Sequence, residues 1–300
     1  MKILILALCA LFGATLAADT PAKKKAGIGA DAPAGKPYIY KESPDKPRQM
    51  EIYFPPNHDP ANAKVPGMIL FHGGAWGGGS LGQFRIACAY FASRGLVCAT
   101  AEYQMLSKAD AAKLPAGETR KRVCVTDAKS AIRWFKQHAG EFGIDPQRII
   151  TGGGSAGGHI SALATMNPGL NDPADPKEID TSVVAYVWFN PAFATDDDKD
   201  PEIDILRHLK ADLPPAIAFF GDMDGWKKGW DTAYAKWKSL GTKTIDLQIA
   251  PGQSHSFFNS GPWQTVTLIA ADQFLVQHGL LTGEPTKTMP ASGEQLVAAP

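Results

Sequence analysis

The stretch that decides the fold lies near the middle of the chain and reads RIITGGGSAGG over residues 148–158. A short strand-forming run leads into glycines, and a helical pattern follows over residues 155–166. The segment contains the pattern G-x-S-x-G, in which a serine stands on a sharp turn between a strand and a helix. The residues around such a serine must be small, because larger side chains would clash where the turn folds. We therefore expect Ser155 to be a nucleophile beside a helix N-terminus, which favours developing negative charge.

A second glycine-rich loop reads FHGGAW over residues 71–76 and follows an apolar, strand-like run. Acyl transfer creates a negatively charged oxygen, and backbone N–H groups must point at it. Consecutive glycines let the backbone approach closely, since they carry no β-carbon. We predict that Gly73 and Gly74 donate to this oxyanion, with the N–H of Ala156 as a third donor. His72 is interpreted as a brace for the loop, because a base fixed beside the donors would be misplaced.

A nucleophilic serine needs a base, and the base needs a carboxylate that orients it. In strand–turn–helix serine enzymes the chain order is serine, acid, histidine. Three histidines lie well downstream of Ser155. His278 falls in the last predicted helix, and His208 falls in a charged stretch. His255 lies in the turn-rich loop 251–258 after a predicted strand, where an imidazole can face a cleft, so we predict that it is the base.

The acid is expected on the loop that follows the preceding strand, which is the segment FFGDMDG at residues 219–225. This segment offers Asp224, which we prefer, and Asp222. Strand alternation places both carboxylates on the same side and does not choose between them. The aspartates at 196–198 also follow a predicted strand, but they are interpreted as a solvated charge run.

Short apolar runs alternate with longer helical patterns across the chain. This alternation predicts an α/β fold with a mostly parallel central sheet and helices on both faces. Strands are predicted over 50–54, 67–71, 96–101, 148–151, 183–189, 216–220 and 244–249, and helices over 123–139, 155–166, 230–240 and 263–278. One domain is expected over residues 37–280.

Both ends of the chain differ from this body. Residues 1–18 have a basic start, an apolar run too short to span a bilayer, and small residues at the end, as in a secretory signal peptide. An uncleaved membrane anchor is the alternative. We expect a secreted or periplasmic protein with no membrane association after cleavage. Residues 19–36 and 281–300 are predicted to be a disordered leader and a disordered tail.

Composition argues against several classes of partner. The 300-residue chain has 30 Lys plus Arg and 30 Asp plus Glu, so its formal net charge is zero and no nucleic-acid partner is predicted. Three cysteines remain after the predicted signal, at positions 88, 98 and 124, and none forms a C-x-x-C pair. They are interpreted as buried free thiols. No metal site and no organic cofactor are predicted.

The ordered set of motifs resembles the acetyl esterase/lipase branch of the α/β hydrolases, which is akin to the hormone-sensitive-lipase-like esterases. The segments that carry the resemblance are HGGAW at 72–76, EY at 102–103, DAKSAIRW at 127–134, GIDPQRI at 143–149 and GGSAGGH at 153–159, with weaker matches at 221–224 and 252–257. They span about residues 50–275. The resemblance implies the α/β-hydrolase fold and favours Asp224 as the acid, because the family acid usually stands three residues after a glycine. Relatives often carry a helical cap, but the short, charged stretch 191–214 indicates a small or absent one.

The implied activity is hydrolysis of short-chain carboxylic esters by a serine esterase. The substrate is expected to be a small-molecule or polysaccharide ester. Tryptophans can stack on sugar rings, and acetylated polysaccharide such as xylan is a candidate on that ground; those considered are Trp76, Trp188, Trp226, Trp230 and Trp263. The alternatives are a serine peptidase of the same fold and a non-catalytic binding protein of this fold.

Overall fold

The computed structural model describes residues 32–299. The strands are β1 (Lys36–Lys41), β2 (Arg48–Tyr53), β3 (Val65–Phe71), β4 (Val97–Ala101), β5 (Ile144–Gly154), β6 (Ala185–Phe189), β7 (Ala216–Gly221), β8 (Ile245–Ala250) and β9 (Val297–Ala298). The α-helices are α1 (Arg85–Ser93), α2 (Lys108–Ala111), α3 (Arg120–Gln137), α4 (Ala139–Phe142), α5 (Ala156–Met166), α6 (Lys227–Ser239) and α7 (Trp263–Gln277). Short 3₁₀ helices cover Leu81–Phe84, Pro201–Ile203, Ile205–Arg207 and Phe257–Asn259.

The nine strands form one sheet in the order β1-β2-β4-β3-β5-β6-β7-β8-β9. Strands β4, β3, β5, β6, β7 and β8 run parallel, whereas β1, β2 and β9 join the two edges in antiparallel pairs. The mostly parallel sheet of the sequence prediction is therefore confirmed.

The sheet separates two apolar cores, because successive side chains of a strand point to opposite faces. In β3, Ile69 and Phe71 belong to the core that contains α3, α5 and α6. Met68 and Leu70 belong to the core that contains α1 and α7. All four side chains are fully buried. Burial on both faces explains why β3 reads as a continuous apolar run rather than as an alternating one.

The predicted strands and helices all occur, with ends that shift by a few residues. The largest shift is in β5, which begins at Ile144 instead of Arg148 and extends through three glycines to Gly154. Five strands and α-helices were not predicted: β1, β9, α1, α2 and α4. Strand β1 is half exposed at the sheet edge, so it lacks a long apolar run.

The predicted disorder of residues 281–300 is wrong for the part that the structure describes. Leu281 is buried, and β9 pairs with β8 at the sheet edge, with Val297 opposite Ile249. Edge strands offer unpaired backbone groups with which a following segment can pair.

The leader prediction also needs a correction at its end. Residue 36 already belongs to β1, and the carbonyl of Pro33 accepts a hydrogen bond from the Tyr53 hydroxyl at 2.8 Å. The signal-peptide prediction for 1–18 and the rest of the leader, through residue 31, lie outside the described residues.

The carboxyl ends of the parallel strands meet at one edge of the sheet, which is where ligands bind in open α/β sheets. Between β6 and β7 the chain forms only two three-residue 3₁₀ helices, so this segment leaves the edge without a helical cap. Among residues 32–299, no helix combines the length and the apolar composition needed to cross a bilayer.

Candidate active site

Ser155 stands between the end of β5 and the start of α5, in a backbone conformation that non-glycine residues rarely adopt. Its φ is 52° and its ψ is −117°. Such strain persists only where the surrounding structure holds it. The Ser155 N–H donates to the Phe189 carbonyl at 3.0 Å, and the Ser155 carbonyl accepts from the Ala192 N–H at 2.9 Å. Backbone groups at the end of β6 and just after it therefore hold the turn from both sides.

Close backbone contacts explain the glycines on either side of this serine. A β-carbon at Gly157 would lie 1.9 Å from the Phe71 carbonyl oxygen, and one at Gly153 would lie 2.3 Å from the same atom. Neither clash has room to relax, because the opposing atom belongs to the backbone of β3. The Phe71 carbonyl is thus the group that excludes a side chain at either glycine of the motif.

His255 lies between Ser155 and Asp224 and contacts both. Its Nε2 is 2.8 Å from the Ser155 hydroxyl oxygen. Its Nδ1 is 2.8 Å from one carboxylate oxygen of Asp224 and 3.0 Å from the other. Because a carboxylate only accepts, Nδ1 carries a proton, and in neutral imidazole Nε2 is then the acceptor for the serine hydroxyl. The structure brings these three sequence-predicted residues together.

Asp222, the alternative acid, points elsewhere. Its side chain is exposed, whereas that of Asp224 is buried. Asp224 also accepts the N–H of Trp226 at 2.8 Å through Oδ1. A buried carboxylate with two fixed donors is held in one orientation, so Asp224 is placed to orient the imidazole.

The predicted oxyanion donors divide into two groups. Within residues 32–299, the N–H groups of Gly74 and Ala156 have no hydrogen-bond partner. The N–H of Gly73 instead donates to Oε1 of Gln83 at 2.6 Å. The expectation that Gly73 is a free donor therefore does not hold in this structure, because a side chain already satisfies its N–H.

His72 braces the loop, as its sequence position suggested. Its ring is fully buried and stacks on Tyr103 at a centroid distance of 4.4 Å, and its Nδ1–H donates to the Gly73 carbonyl at 2.8 Å. The Tyr103 hydroxyl donates to the His72 carbonyl at 2.8 Å. Burial lowers the pKa of His72 to about 4, so the ring is neutral and carries no charge into the site at pH 7.

These groups open onto a cleft of about 560 Å³. The cleft is lined by both loops, by Ser155 and His255, and by two tryptophans. Trp76 is nearly buried, with Lys121 Nζ 4.8 Å above its ring, whereas Trp226 is 51% exposed. The Trp226 ring lies 6.1 Å from that of His255 and 6.5 Å from that of Trp76. The rim beside the imidazole is thus aromatic and open.

Sequence reasoning missed two polar side chains near the triad, Asn190 and Gln83. Asn190 follows β6, is fully buried, and lies with Nδ2 3.4 Å from His255 Nε2. Its place at the carboxyl end of a parallel strand was a signal that could have found it. Gln83 belongs to a 3₁₀ helix and had no such signal.

In residues 32–299, no group of three His, Cys, Asp or Glu side chains is arranged to hold an ion. The cysteines at 88, 98 and 124 are free and buried, as the sequence indicated.

Proteins with related sequences are ester hydrolases. Residues 50–194 match the family model described as BD-FAE. The chain is 34% identical over 144 residues to the probable carboxylic ester hydrolase LipM of Mycobacterium tuberculosis. This match covers 47% of the chain and 30% of LipM. It is 27% identical over 229 residues to the carboxylic ester hydrolase LipN of the same organism, and this match covers 65% of this chain and 58% of LipN. The chain thus spans between 30% and 58% of the length of these two curated relatives.

The solved structure of Thermogutta terrifontis esterase 2 in its apo form has the same fold. It superposes with a TM-score of 0.76 at 33% identity, and the match covers 84% of this chain and 98% of that esterase. Other structures of that esterase hold propionate or butyrate. The chain therefore belongs to the α/β-hydrolase superfamily. Within the superfamily it is a member of the esterases, as the Thermogutta enzyme is.

The buried neutral state of His72 predicts a loss of stability in mild acid. An unfolded chain binds a proton at this position near pH 6.5, whereas the folded chain does so only near pH 4. The folded state binds fewer protons between these values, so the free energy of unfolding falls as the pH decreases from 6.5 to 4, by on the order of 3 kcal/mol. The free energy of unfolding should be measured by denaturant titration at several pH values in this range. Its slope against pH should be shallower in His72→Asn than in wild type, by the equivalent of about one proton. Equal slopes in the two proteins would contradict a buried, neutral His72 in the folded state.

Proposed function

We propose that this protein hydrolyses short-chain carboxylic esters through an acyl-enzyme on Ser155. The observation that carries the proposal is the pair of 2.8 Å contacts that join Ser155 Oγ to His255 Nε2 and His255 Nδ1 to Asp224, at the floor of an open cleft. A nucleophile, a base and an orienting acid within hydrogen-bond reach are what covalent acyl transfer requires. Membership of the esterase family supports the same reaction.

In the proposed acylation step, His255 Nε2 takes the proton of the Ser155 hydroxyl while Oγ attacks the ester carbonyl carbon. Asp224 holds the imidazole in the tautomer that accepts this proton and stabilises the imidazolium that forms. When the tetrahedral intermediate collapses, the C–O bond to the alcohol breaks, and Nε2 returns the proton to the leaving alcohol oxygen. A water molecule then attacks the carbonyl carbon of the acyl-enzyme while Nε2 takes its proton. The second intermediate collapses with return of the proton to Oγ, which releases the carboxylic acid and restores Ser155.

The oxyanion of each tetrahedral intermediate needs fixed donors. Gly74 lines the cleft beside Ser155, and the N–H of Ala156 is at the N-terminus of α5. Both N–H groups lack a partner within residues 32–299, and the α5 dipole adds to the favourable potential. We assign these two groups as the donors, because preorganised N–H groups stabilise developing charge without reorganisation.

The proposed acyl group is small. The cleft of about 560 Å³ must hold the acyl group and part of the alcohol. The propionate and butyrate held by the Thermogutta esterase support a short acyl chain here.

The alcohol side of the proposed substrate is a ring-bearing ester, such as an acetylated polysaccharide. Of the tryptophans considered for sugar stacking, Trp188 and Trp230 are fully buried in the core, and Trp263 packs against Phe257. Trp76 is 6% exposed, so Trp226 alone among them offers a ring face at the rim. The polysaccharide proposal therefore depends on Trp226. A secretory signal at residues 1–18 would place the enzyme in the periplasm or outside the cell, where such esters occur.

The assignment of the acid predicts a large difference between two neighbouring substitutions. Asp224→Asn should lower kcat for p-nitrophenyl acetate by about 10⁴, because an asparagine amide can donate to Nδ1 and so favours the wrong tautomer. Asp222→Asn, which changes an exposed side chain, is the matched control and should remain within about twofold of wild type. Ser155→Ala sets the background rate.

Three outcomes would count against this account. Wild-type turnover no greater than that of Ser155→Ala would exclude the esterase mechanism. Loss on Asp222→Asn, with Asp224→Asn unaffected, would reverse the assignment of the acid. Full activity in both variants would mean that neither carboxylate orients the base.

The rim tryptophan predicts a substrate-dependent effect. Trp226→Ala should lower kcat/KM for acetate release from acetylated xylan about three- to tenfold, since an aromatic stacking contact contributes about 0.5–1.5 kcal/mol. Acetate release from vinyl acetate, which has no ring, should change less than about twofold. The control is Met223→Ala, which changes an exposed apolar residue of the same loop that has no ring. Equal losses on both esters, or no loss on xylan, would contradict the polysaccharide proposal.

A further inference from the structure

The side chain of Gln83 fills the space beside the loop that carries the oxyanion donors. Its Oε1 accepts the N–H of Gly73 at 2.6 Å, and it lines the cleft together with Ser155. The loop is in close contact with the nucleophile here, because a β-carbon built on Gly73 would lie 3.1 Å from Ser155 Cβ. A shift of the Gly73 peptide would therefore move the donor loop relative to the reacting hydroxyl.

The other end of the Gln83 amide reaches the loop that carries the base. Gln83 Nε2 donates to Asn259 Oδ1 at 2.9 Å, and Asn259 Nδ2 donates to the Ser256 carbonyl at 3.0 Å. The Ser256 N–H donates in turn to Asn190 Oδ1 at 3.1 Å. Ser256 is the next residue after His255. One chain of hydrogen bonds thus joins the oxyanion loop, the base loop and the segment after β6.

Backbone groups fix the orientation of the side-chain amides of Gln83 and Asn259 in this network. An N–H can only donate, so Oε1 of Gln83 faces Gly73 and its Nε2 faces Asn259. The Ser256 carbonyl can only accept, which places Asn259 Nδ2 on it and Asn259 Oδ1 toward Gln83. Both requirements agree at Asn259, so the network is satisfied without an amide flip. A connected, satisfied network of this kind holds its members in one arrangement.

We infer that Gln83 is a positioning residue of the esterase: its amide holds the Gly73 peptide so that the next N–H, that of Gly74, faces the oxyanion, and it ties this loop to the loop of His255. The inference rests on the proposed acyl-transfer function. Gln83 acts through the orientation of the loop and does not itself donate to the oxyanion.

The first test is Gln83→Met, which keeps the length of the side chain and removes both hydrogen bonds. Loss of one oxyanion donor lowers kcat about 10²–10³-fold in enzymes of this mechanism. Misorientation of the donor loop should cost less, about 10- to 100-fold in kcat for p-nitrophenyl acetate, with KM within about twofold. The inhibition constant of a boronic acid that forms a tetrahedral adduct on Ser155 should rise by a similar factor. Gln277→Met, on the exposed face of α7, is the control.

The second test is Gln83→Glu, whose function should depend on its protonation. A protonated glutamic acid both accepts and donates, as glutamine does, whereas the carboxylate only accepts and would place a negative charge beside the oxyanion. His255 is the only other titratable side chain among the described residues that line the cleft, and dividing by the wild-type rate at each pH removes its contribution. The ratio of variant to wild-type kcat should be highest near about pH 5 and fall at least tenfold by about pH 8. The Gln83→Met ratio should not vary with pH.

Asn259→Ala provides an independent route if Gln83→Met does not fold. It removes the link to the base loop, and kcat should fall by about three- to tenfold, because an unpaired network member weakens the others. Where Gln83→Met does fold, the double variant should lose no more than Gln83→Met alone, since the two side chains act as a unit.

The outcomes separate this inference from the proposed function. Wild-type turnover that disappears in Ser155→Ala, together with full activity in Gln83→Met, would overturn the role of Gln83 and leave the esterase assignment intact. A Gln83→Glu ratio that does not change with pH would overturn the role as well. Absence of wild-type turnover on any short-chain ester would instead remove the proposed function.

Discussion

The strained turn at Ser155 is the constraint on which the rest of this site depends. A serine with φ near 52° at the end of a buried parallel strand raises its hydroxyl above the sheet edge, toward the cleft. The turn is so tight that the Phe71 carbonyl occupies the space that a side chain at Gly157 would need. Because Phe71 ends β3 and the oxyanion loop follows directly, the same contact sets the distance between donor loop and nucleophile. The register between β3 and β5 therefore determines the geometry of the active site.

The remaining groups come to this turn from two strands that lie beyond β6 in the sheet. Asp224 follows β7 and His255 follows β8, and each is held by backbone or side-chain contacts before substrate arrives. Preorganised groups stabilise developing charge without the cost of reorienting during the reaction. The buried, neutral His72 and the amide of Gln83 serve the same end, since they fix the loop from two sides without adding charge.

The sequence was informative wherever a function depends on local pattern. Ser155, His255 and the strand–helix alternation are encoded in short stretches whose glycines and apolar runs have a direct steric meaning. The choice between Asp222 and Asp224 depended on the turn after β7, which alternation alone does not describe. The hydrogen bond from Gln83 to Asn259 joins residues 176 positions apart, and no local pattern encodes such a contact. The edge strands β1 and β9 were missed because pairing at a sheet edge needs backbone groups more than apolar side chains.

The most direct test of the central claim is to locate the covalent adduct formed by an organophosphate such as paraoxon. The protein would be treated with the reagent until ester turnover stops, digested, and analysed by peptide mass spectrometry. The account predicts one phosphoryl group per chain on the peptide that contains Ser155, and a much slower reaction in His255→Ala. An adduct on another residue, or ester hydrolysis that continues undiminished while Ser155 is fully modified, would contradict it.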